Sequence, residues 1–346
     1  MFHVGVLTTD FRVSSMRMRD TLYFEKDRLA GFINGMPAET PVREIVVLCT
    51  CNRIEIYYVA EDTAAAAVWL IKCLADFHRI PETLVRSALV NHCCANAVRH
   101  IFRVASGVES MVFGEHEILG QIRDAYFFSR KHDKTNSCLN RLFQQAIATG
   151  KKVRHLTGAA KGSISVSSIA IEALLDNNNG KLDNMSILIV GLGTMGLRAL
   201  KRVAQYKPNR IGLCNRNDQR AAMISLRFNA VHLLYSDFCK SINDYDCVIL
   251  ATSSSEHILS VEQLQQCRNR KKQLLVIDIG APRNADPVIS SIDGVKLICV
   301  DDLKATAERH LLERTHEIGD IEAIIEEQVA EFTRWYLFRK ECTCGE

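Results

Sequence analysis

The sequence has no long apolar run, little proline and only a small net charge. None of its 346 residues lies in a stretch that approaches the roughly 20 apolar residues a membrane-spanning helix needs, so we expect no membrane segment. Its start, Met1–Val6, lacks the charged leader and apolar core of a secretion signal and predicts a first strand. With 6 Pro, 18 Gly and no low-complexity segment, the composition excludes a disordered or fibrous chain. The net charge of +3 permits a polyanionic partner without requiring one.

Cysteine is plentiful, but it lacks the spacing of a disulfide framework. The 13 cysteines are an odd number, and a chain of this length needs no covalent stapling. We therefore expect free thiols in a reducing cytoplasm. Three close pairs occur, at Cys49/Cys51, Cys93/Cys94 and Cys342/Cys344. None has the CxxC repeat of a structural zinc site, so the sequence predicts no metal.

The first part of the chain, residues 1–157, mixes strand and helix patterns. β-Branched and aromatic residues predict strands at Glu44–Cys49 and Glu55–Val59. Apolar residues recur at helical spacing in four later stretches. These are Thr63–Phe77, Ala95–Val104, Ile118–Phe128 and Leu139–Val153. We expect an N-terminal α+β catalytic domain whose helices accumulate towards its end.

A basic, glycine-containing stretch and a serine-rich one, 163–168, separate this part from the next, and we place the boundary between residues 157 and 158. From Asn184 onward, short apolar strands alternate with helices. The strands are predicted at Ser186–Val190, Arg210–Cys214, Cys247–Ala251, Leu274–Ile279 and Val295–Val300, and the helices at Leu197–Gln205 and Gln219–Arg227. This alternation predicts a parallel sheet covered on both faces, hence a doubly wound, Rossmann-like domain over residues 158–300.

The last part, residues 301–346, has neither proline nor a strand pattern between Leu303 and Phe338, and its apolar residues recur at helical spacing. A helix of this length has little core of its own to cover. It packs on a partner or along the rest of the chain, or it folds back on its own domain, and the sequence leaves these alternatives open. The predicted fold class is therefore α/β in three parts, ending in a long helix.

A glycine motif lies between the first predicted strand of the second domain and a helix start, which is the context that gives it meaning. Gly191 allows a tight turn, Gly193 lets the backbone approach a pyrophosphate, and Gly196 allows close contact between helix and strand. The helix N-terminus then faces the phosphates with unpaired N–H groups. The predicted cofactor-binding residues of this loop are Gly191, Leu192, Gly193, Thr194, Met195 and Gly196.

The next predicted strand ends in Asn215-Arg216-Asn217, where NAD-binding domains usually carry an acidic residue for the ribose hydroxyls. An arginine favours a 2′-phosphate through charge-assisted hydrogen bonds, so Arg216 predicts NADPH. A solvated surface arginine is the alternative. Two loops, Thr252–Ser255 and Gly280–Arg283, also follow strands and are candidates for the walls around the nicotinamide, although either could be an ordinary polar loop.

The stretch Leu48–Tyr57 places a cysteine and an arginine at the end of an apolar strand. Cysteine is usually buried and inert, and Cys49 fits that default inside its apolar run. Cys51 fits it less well, because it ends the run between two polar neighbours. In an extended chain Cys51 and Arg53 point to the same face, and a nearby guanidinium favours the reactive thiolate. Arg53 could alternatively hold a carboxylate bidentately.

A second polar cluster, Gly107–Gln121, combines glycines with several hydrogen-bonding side chains. Glycines cost backbone entropy that a purely structural segment would avoid, so a binding loop that feeds a helix accounts for the cluster. A capped helix start with surface acids is the competing interpretation. His100 lies on a predicted helix of mixed character, where a lone histidine is usually a bystander.

With these residues in view, the chain resembles the glutamyl-tRNA reductase family. The matching segments occur in family order and cover most of residues 44–300. They are Thr50–Tyr57, His100–Gln121, Ser165–Ser168, the glycine motif with Asn215-Arg216, and Asp278–Pro287. The first two are highly specific for the family, whereas the glycine motif is shared with many dinucleotide-binding proteins.

The resemblance implies that Cys51 attacks the ester between glutamate and its tRNA, and that NADPH reduces the resulting thioester to glutamate 1-semialdehyde, the first step of tetrapyrrole (5-aminolevulinate) synthesis. It makes His100 important for activity and leaves open whether it acts as acid, base or positioning group. Arg53 becomes the best candidate to hold the substrate carboxylate. The glutamyl pocket implied by the family comprises Thr50, Asn52, Arg53, Ser110, Glu115, His116, Glu117 and Gln121.

The resemblance also implies partners and exposes departures. Glutamyl-tRNA(Glu) is the expected substrate, a V-shaped homodimer the expected assembly, and glutamate-1-semialdehyde aminomutase the expected recipient of the reactive product. The family usually has Pro-Gln where this chain has His116-Glu117, and a His-Lys-containing turn where this chain has Thr8–Arg12. The C-terminal region is also shorter than the family's helical dimerisation domain.

Two alternatives stay open. In one, the chain is an NADP-dependent dehydrogenase of a small substrate in which Cys51 is merely structural. In the other, it is a non-catalytic tRNA- or haem-binding regulator that keeps the fold. A pure binder needs neither the cysteine nor the glycine motif, which favours the enzyme.

Overall fold

The structure is a computed structural model that describes residues 3–37, 39–50, 52–115, 117–157, 165–254, 256–267, 273–303 and 315–343. The chain forms two units, residues 1–164 together with 310–346, and residues 165–309. Both ends of the sequence therefore belong to one unit. In the described part of the chain, no helix has the length and apolar character needed to cross a membrane.

The first unit is built on a four-stranded antiparallel sheet with the strand order β2-β3-β1-β4. The strands are β1 (His3–Asp10), β2 (Val42–Cys49), β3 (Arg53–Ala60) and β4 (Val90–Cys93). The strands predicted at Glu44–Cys49 and Glu55–Val59 are confirmed, and each begins two residues earlier than predicted. The predicted first strand continues to Asp10. In the register of β1 with β3, Asp10 lies opposite Arg53, so the end of β1 reaches the start of β3.

Helices cover both faces of this sheet. They are α1 (Met16–Leu22), α2 (Lys26–Asn34), α3 (Thr63–His78), α4 (Glu82–Ala88), α5 (Ala95–Ser106), α6 (Glu117–Lys131) and α7 (Ser137–Leu156). Because successive side chains of a strand point to opposite faces, Ile54, Ile56 and Tyr58 pack with α1–α4. Tyr57 and Val59 pack on the opposite face with α5–α7.

The C-terminal helix, Thr315–Thr343, packs against this second core. Ile321, Ile325, Val329 and Phe332 are all buried there, and they recur at helical spacing as the sequence predicted. Four ion pairs flank them, each worth little at the surface. These are Arg99–Glu326, Arg103–Glu322, Arg141–Glu331 and Lys152–Glu327. Of the alternatives the sequence left open, the helix therefore lies along the rest of the chain.

The start of that helix differs from the predicted one in its described part. Val300–Leu303 forms a 3₁₀ turn, and the carboxylate of Asp302 accepts a hydrogen bond from the Cys299 backbone N–H at 2.7 Å. Residues 304–314, which the sequence assigned to the same helix, lie outside the described residues.

The second unit is a six-stranded parallel sheet with the order β10-β9-β8-β5-β6-β7. Its strands are β5 (Ser186–Val190), β6 (Arg210–Cys214), β7 (Val231–Leu233), β8 (Cys247–Leu250), β9 (Leu274–Asp278) and β10 (Val295–Cys299). The helices are α8 (Val166–Asn177), α9 (Thr194–Gln205), α10 (Asp218–Phe228), α11 (Phe238–Ser241) and α12 (Val261–Cys267). This is the doubly wound dinucleotide-binding order, which confirms the predicted fold class.

Part of the serine-rich stretch that separates the two parts of the sequence is helical in the structure. Ser165 caps α8, since its hydroxyl accepts a hydrogen bond from the Ser168 N–H at 3.2 Å. Ser167 is buried and donates to the Met195 carbonyl at 3.1 Å. The serines therefore start a helix and fasten it to the glycine-motif helix, while 158–164 lie outside the described residues.

Candidate active site

A tight turn joins β2 to β3 and carries the predicted nucleophile. The hydroxyl of Thr50 accepts hydrogen bonds from the backbone N–H groups of Asn52 at 3.2 Å and Arg53 at 3.1 Å. The Thr50 N–H donates to the Arg53 carbonyl at 2.9 Å. Cys51 lies outside the described residues, but the residues on both sides of it are buried. The turn is thus closed by its own threonine, which is why a polar residue precedes the cysteine.

Two buried polar atoms near this turn have no hydrogen-bond partner among the described residues. They are the Oδ1 atom of Asn52 and the hydroxyl of Ser110. Buried polar groups are paired in the great majority of cases, and an unpaired one costs about 1–3 kcal/mol. Both residues were predicted to bind substrate, and both present groups that a polar ligand would satisfy.

Three polar side chains line one face of β3 at alternate positions, Arg53, Glu55 and Tyr57. The carboxylate of Glu55 accepts hydrogen bonds from Arg53 at 2.7 Å and from the Tyr57 hydroxyl at 2.6 Å. The hydroxyl of Thr8 adds a third bond at 3.3 Å, and Nε2 of His100 lies 2.9 Å from the same carboxylate. Glu55 is completely buried, and it is the centre of a buried polar cluster.

The electrostatics of the cluster favour an ionised Glu55. Burial alone would raise the pKa of this carboxyl, but His100 and Arg53 outweigh burial and hold the pKa well below its usual range. Burial and the neighbouring carboxylate raise the pKa of Tyr57 well above its usual value, which keeps its hydroxyl a hydrogen-bond donor. The cluster therefore contains a carboxylate, a guanidinium and a neutral phenol.

Arg53 also connects this cluster to the Gly107–Glu115 loop. One terminal nitrogen bonds Glu55, and the other donates to the backbone carbonyl of Glu109. The side chain is only 2% exposed. In this arrangement both terminal nitrogens of the expected carboxylate clamp already hold protein oxygens.

The Gly107–Glu115 loop is shaped by two glycines in the left-handed region. Gly107 ends α5 with φ +79°, and Gly114 has φ +72°. The Gly114 N–H donates to the Gly107 carbonyl at 3.2 Å, and a Cβ atom on Gly107 would lie 2.9 Å from the Cα atom of Gly114. The loop therefore closes on itself, and its Glu109 carbonyl accepts a hydrogen bond from Arg53.

The remaining predicted pocket residues lie at the end of this loop and in the sequence that follows it. Glu115 is buried, and its carbonyl accepts a hydrogen bond from Arg154 at 3.0 Å. Glu117 begins α6 and Gln121 lies one turn later, both half-buried. His116 lies outside the described residues. Thr50 is bonded to Asn52 and Arg53. The bond from Arg53 to the Glu109 carbonyl then connects this turn with the loop that carries Ser110.

The sequence did not single out a second ionic cluster beside the site. The carboxylate of Glu109 accepts hydrogen bonds from Arg103, at 2.5 Å, and from Arg12. Although burial opposes it, the two guanidinium groups lower the pKa of Glu109 to about 2. Arg12 is also held by Asp10, and Arg103 by Glu322 of the C-terminal helix. Arg12 belongs to the turn that departs from the family pattern, and this departure was the one sequence feature that could have pointed to the cluster.

Cys49, two residues before the predicted nucleophile, behaves as core. Its sulfur accepts a hydrogen bond from the Phe24 N–H at 3.4 Å, and burial raises the pKa of its thiol to about 12. A thiol with such a pKa is not a nucleophile at neutral pH. The inert role expected for Cys49 agrees with this environment, and the residue offers a natural control for Cys51.

The glycine motif of the second unit has the geometry that a pyrophosphate site requires. Gly191 has φ +96°, and a Cβ atom there would lie 2.5 Å from the Ala251 carbonyl oxygen. A Cβ atom on Gly196 would collide with the Gly191 carbonyl. Gly193, by contrast, caps α9 and has no atom near its Cβ position. The first and third glycines thus serve packing, and the second leaves room for a ligand at the helix N-terminus.

Arg216, the residue predicted to recognise a 2′-phosphate, lies in the loop after β6. Its guanidinium donates to the Ser254 hydroxyl at 2.8 Å, which links the loops after β6 and β8. The side chain of Asn215 accepts a hydrogen bond from the Leu192 N–H at 3.1 Å and so fixes the glycine loop against the same region. The donor set fits an adenosine with a 2′-phosphate better than one with two free ribose hydroxyls.

The two predicted wall loops are tied to each other. The side-chain oxygen of Asn284 accepts hydrogen bonds from the N–H and hydroxyl of Thr252, at 2.8 and 2.9 Å. The buried carboxylate of Asp278 accepts three backbone N–H bonds, from Gly280, Asn284 and Ala285. Both loops follow parallel strands, at the edge where ligands bind in such sheets. Among the described residues, no cluster of three His, Cys, Asp or Glu side chains could hold a metal ion.

The strand order, the glycine loop and the loops at its edge define a dinucleotide-dependent oxidoreductase, carrying an additional α+β unit with a buried polar site. Two family models match the chain. The model of the glutamyl-tRNAGlu reductase N-terminal domain matches residues 7–157, and the shikimate/quinate 5-dehydrogenase model matches residues 173–306.

Relatives that match nearly the whole chain are named glutamyl-tRNA reductase. Glutamyl-tRNA reductase of Syntrophotalea carbinolica is 32% identical over 332 residues, which are 95% of this chain and 75% of that protein. That of Bacillus subtilis is 30% identical over 96% of this chain and 73% of its own length. A solved structure of glutamyl-tRNA reductase from Methanopyrus kandleri is 26% identical, with a TM-score of 0.54, and covers 98% of this chain and 82% of that chain. The chain belongs to the glutamyl-tRNA reductase family, as its motifs predicted.

Proposed function

We propose that this chain reduces the glutamyl group of glutamyl-tRNA(Glu) to glutamate 1-semialdehyde through a thioester on Cys51, the first step of tetrapyrrole synthesis. The observation that carries the proposal is the pair of unpartnered buried atoms, on Asn52 and Ser110, beside the turn that contains this cysteine. A ligand with several polar groups satisfies them, whereas a structural turn would leave them unpaired. An aminoacyl group offers carbonyl, ammonium and carboxylate groups within one small volume.

The thiol step balances without a further reagent. The Cys51 sulfur forms a bond to the ester carbonyl carbon, the bond from that carbon to the ribose oxygen breaks, and the tRNA hydroxyl leaves with a proton. The glycine loop and Arg216 would hold NADPH, which would supply the hydride that turns the thioester into an aldehyde and frees the Cys51 thiolate. Covalent capture keeps the acyl carbon in place between the two steps.

The residues around the turn have distinct roles in this proposal. Thr50 closes the turn, and Asn52 and Ser110 present hydrogen-bonding groups to the substrate. Arg53 receives the substrate carboxylate, for which one of its present oxygen partners has to be exchanged. Four further residues complete the proposed glutamyl site. They are Glu115, His116 and Glu117, with Gln121 one turn beyond.

The test compares Cys51→Ser with Cys49→Ser, using glutamyl-tRNA and NADPH and following NADPH absorbance together with aldehyde formation. The thioester route predicts near-complete loss of turnover for the Cys51 variant. The Cys49 variant should retain most of it, because that thiol is half-buried against the apolar core and its pKa is raised to about 12. Without NADPH, the wild-type chain should release glutamate slowly as the thioester hydrolyses, and the Cys51 variant should not.

Three outcomes would contradict the proposal. Normal turnover in Cys51→Ser would favour a dehydrogenase of a small substrate. Binding of glutamyl-tRNA without any NADPH oxidation would favour a non-catalytic regulator. Release of glutamate that the Cys51 change leaves intact would show that hydrolysis does not pass through this sulfur.

The assembly and partners belong to the proposal as well. We assign glutamyl recognition and the thiol to residues 1–157, NADPH binding to 158–300, and dimerisation to 301–346. Leu337 and Phe338, near the end of the C-terminal helix, are exposed apolar side chains that a homodimer would cover. Sedimentation of the purified chain tests this directly, and adding the aminomutase to the same experiment tests the handover of the aldehyde. The ten described cysteines are free, as a reducing cytoplasm allows.

A further inference from the structure

Glu55 is the most completely enclosed acid of the first unit, and no step described so far uses it. It is 0% exposed and accepts hydrogen bonds from Arg53, Tyr57 and Thr8, with His100 2.9 Å away. Burying a carboxylate costs several kcal/mol unless its partners compensate, and an apolar residue in such a place is often as stable. The charge therefore serves something other than the stability of the sheet.

The contact with His100 fixes which ring nitrogen is protonated. An ionised carboxylate only accepts hydrogen bonds, so the Nε2 atom of His100, which faces Glu55, must carry the hydrogen. In the neutral ring the Nδ1 atom is then the one with a free lone pair. No described residue forms a hydrogen bond with Nδ1, and the side chain is 11% exposed. One nitrogen is thus held by the protein, and the other is available for chemistry.

We propose that Glu55 is a positioning residue for the thiol step: it holds His100 in the Nε2–H tautomer and balances the positive charge that forms when Nδ1 takes a proton. The inference rests on the proposed function and gives His100 its role. Nδ1 accepts the proton of the Cys51 thiol as the carbon–sulfur bond forms. It returns the proton to the ribose oxygen as the carbon–oxygen bond breaks, so the step has no net proton change.

The charged and titratable groups around the pair come from three elements. They are Arg53 and Tyr57 of β3, His92 of β4, and Glu109 of the Gly107–Glu115 loop. The ring of His92 lies 5.4 Å from that of His100. Burial lowers the pKa of His92, so His92 is uncharged at neutral pH. Arg53 forms an ion pair with Glu55 and so partly balances its negative charge.

The same geometry distinguishes a positioning role from a purely structural one. In Glu55→Gln the remaining oxygen can still accept from Arg53 and from His100 Nε2, while the amide group faces the Tyr57 hydroxyl, which can accept. The tautomer should survive and the charge is lost. Hydrogen bonds to charged groups are worth more than neutral ones, so we expect thioester formation to slow about 10- to 100-fold. The KM for glutamyl-tRNA should change little.

A double-mutant cycle tests the coupling. His100→Ala alone should slow thioester formation about 100- to 10,000-fold, the usual share of a general acid–base group. If Glu55 acts through His100, the double variant Glu55→Gln/His100→Ala should be no slower than His100→Ala. Losses that multiply would overturn the proposal, because they would show that Glu55 contributes by another route.

The matched control is Glu44→Gln. Glu44 is also a buried glutamate of the same sheet, but its carboxylate accepts backbone N–H bonds from Asn136, Cys138 and Leu139 at the start of α7. Its replacement should lower stability, and the rate of thioester formation per folded molecule should stay unchanged. A loss equal to that of Glu55→Gln would mean that any buried charge change slows the enzyme.

A measurement without turnover separates this inference from the proposed function. Long-range ¹H–¹⁵N spectra of the full chain with labelled histidine report which ring nitrogen carries hydrogen. The wild-type chain should show His100 as the Nε2–H tautomer, identified by the signal lost in His100→Ala. A Nδ1–H tautomer would refute the inference even if the chain reduces glutamyl-tRNA. An Nε2–H tautomer in a chain without reductase activity would instead count against the proposed function.

Discussion

Phe332→Ala tests whether the C-terminal helix is part of the core of the first unit. Phe332 is 2% exposed and belongs to the apolar core that includes α5, α6 and α7. Truncating a buried phenylalanine to alanine costs about 3–5 kcal/mol. With a urea dependence of about 2 kcal/mol per molar for a unit of this size, the unfolding midpoint should fall by about 1.5–2.5 M.

Tryptophan fluorescence isolates the unit concerned, because both tryptophans of the chain belong to it, Trp69 in α3 and Trp335 in the C-terminal helix. The matched control is Phe338→Ala in the same helix, where the side chain is 68% exposed. A surface change is usually within about 0.5 kcal/mol, or about 0.25 M in midpoint. Equal shifts for the two phenylalanines, at the same protein concentration, would refute the packing of this helix against the sheet.

Two further predictions address the cofactor and the ionic cluster. Arg216→Ala should raise the KM for NADPH about 10- to 100-fold and leave the KM for NADH nearly unchanged, because the variant loses only the hydrogen bonds to the 2′-phosphate. Steady-state kinetics with both cofactors tests this. Equal changes in the two KM values would show that Arg216 does not bind the 2′-phosphate. Glu109 has a folded-state pKa of about 2 against a usual 4.5, so its ionised form stabilises the native state above pH 4.5, and this contribution is lost as the pH falls towards 2. Glu109→Gln should therefore flatten the loss of unfolding free energy between those pH values, as measured by urea titrations.

The parallel sheet could be predicted from sequence because its central strands are buried on both faces. Strands β5, β8 and β9 are continuous apolar runs, and such runs between helices are typical of a parallel sheet with both faces covered. Two short edge strands were not predicted, whereas the edge strands β2 and β10 were. β7 has only three residues and pairs with β6 alone, and β4 contains Asn91 and His92 and is paired only with β1. A short strand with one neighbour needs no apolar period, so nothing in its sequence marks it.

The candidate site also has features that the sequence could locate and a contact that it could not. The glycine loop and the turn around Cys51 are local, and their residue types and spacing were sufficient to locate them. The partnership of Glu55 with His100 joins residues 45 positions apart, and it depends on how α5 packs against β1 and β4 of the same sheet. A usable signal did exist. Arg53, Glu55 and Tyr57 alternate along one face of a strand whose other positions are apolar, and three polar groups there require mutual partners.

The ionic contacts extend the site to the end of the chain. Glu322 of the C-terminal helix holds Arg103, and Arg103 holds the carboxylate of Glu109. Because that side chain is fixed, the backbone carbonyl of Glu109 is presented to Arg53, which begins the strand after Cys51. The helix thus supports the turn through a continuous set of charged contacts as well as through apolar packing. The unit that carries the thiol is therefore built from both ends of the sequence, and changes on the helix should affect the geometry around Cys51.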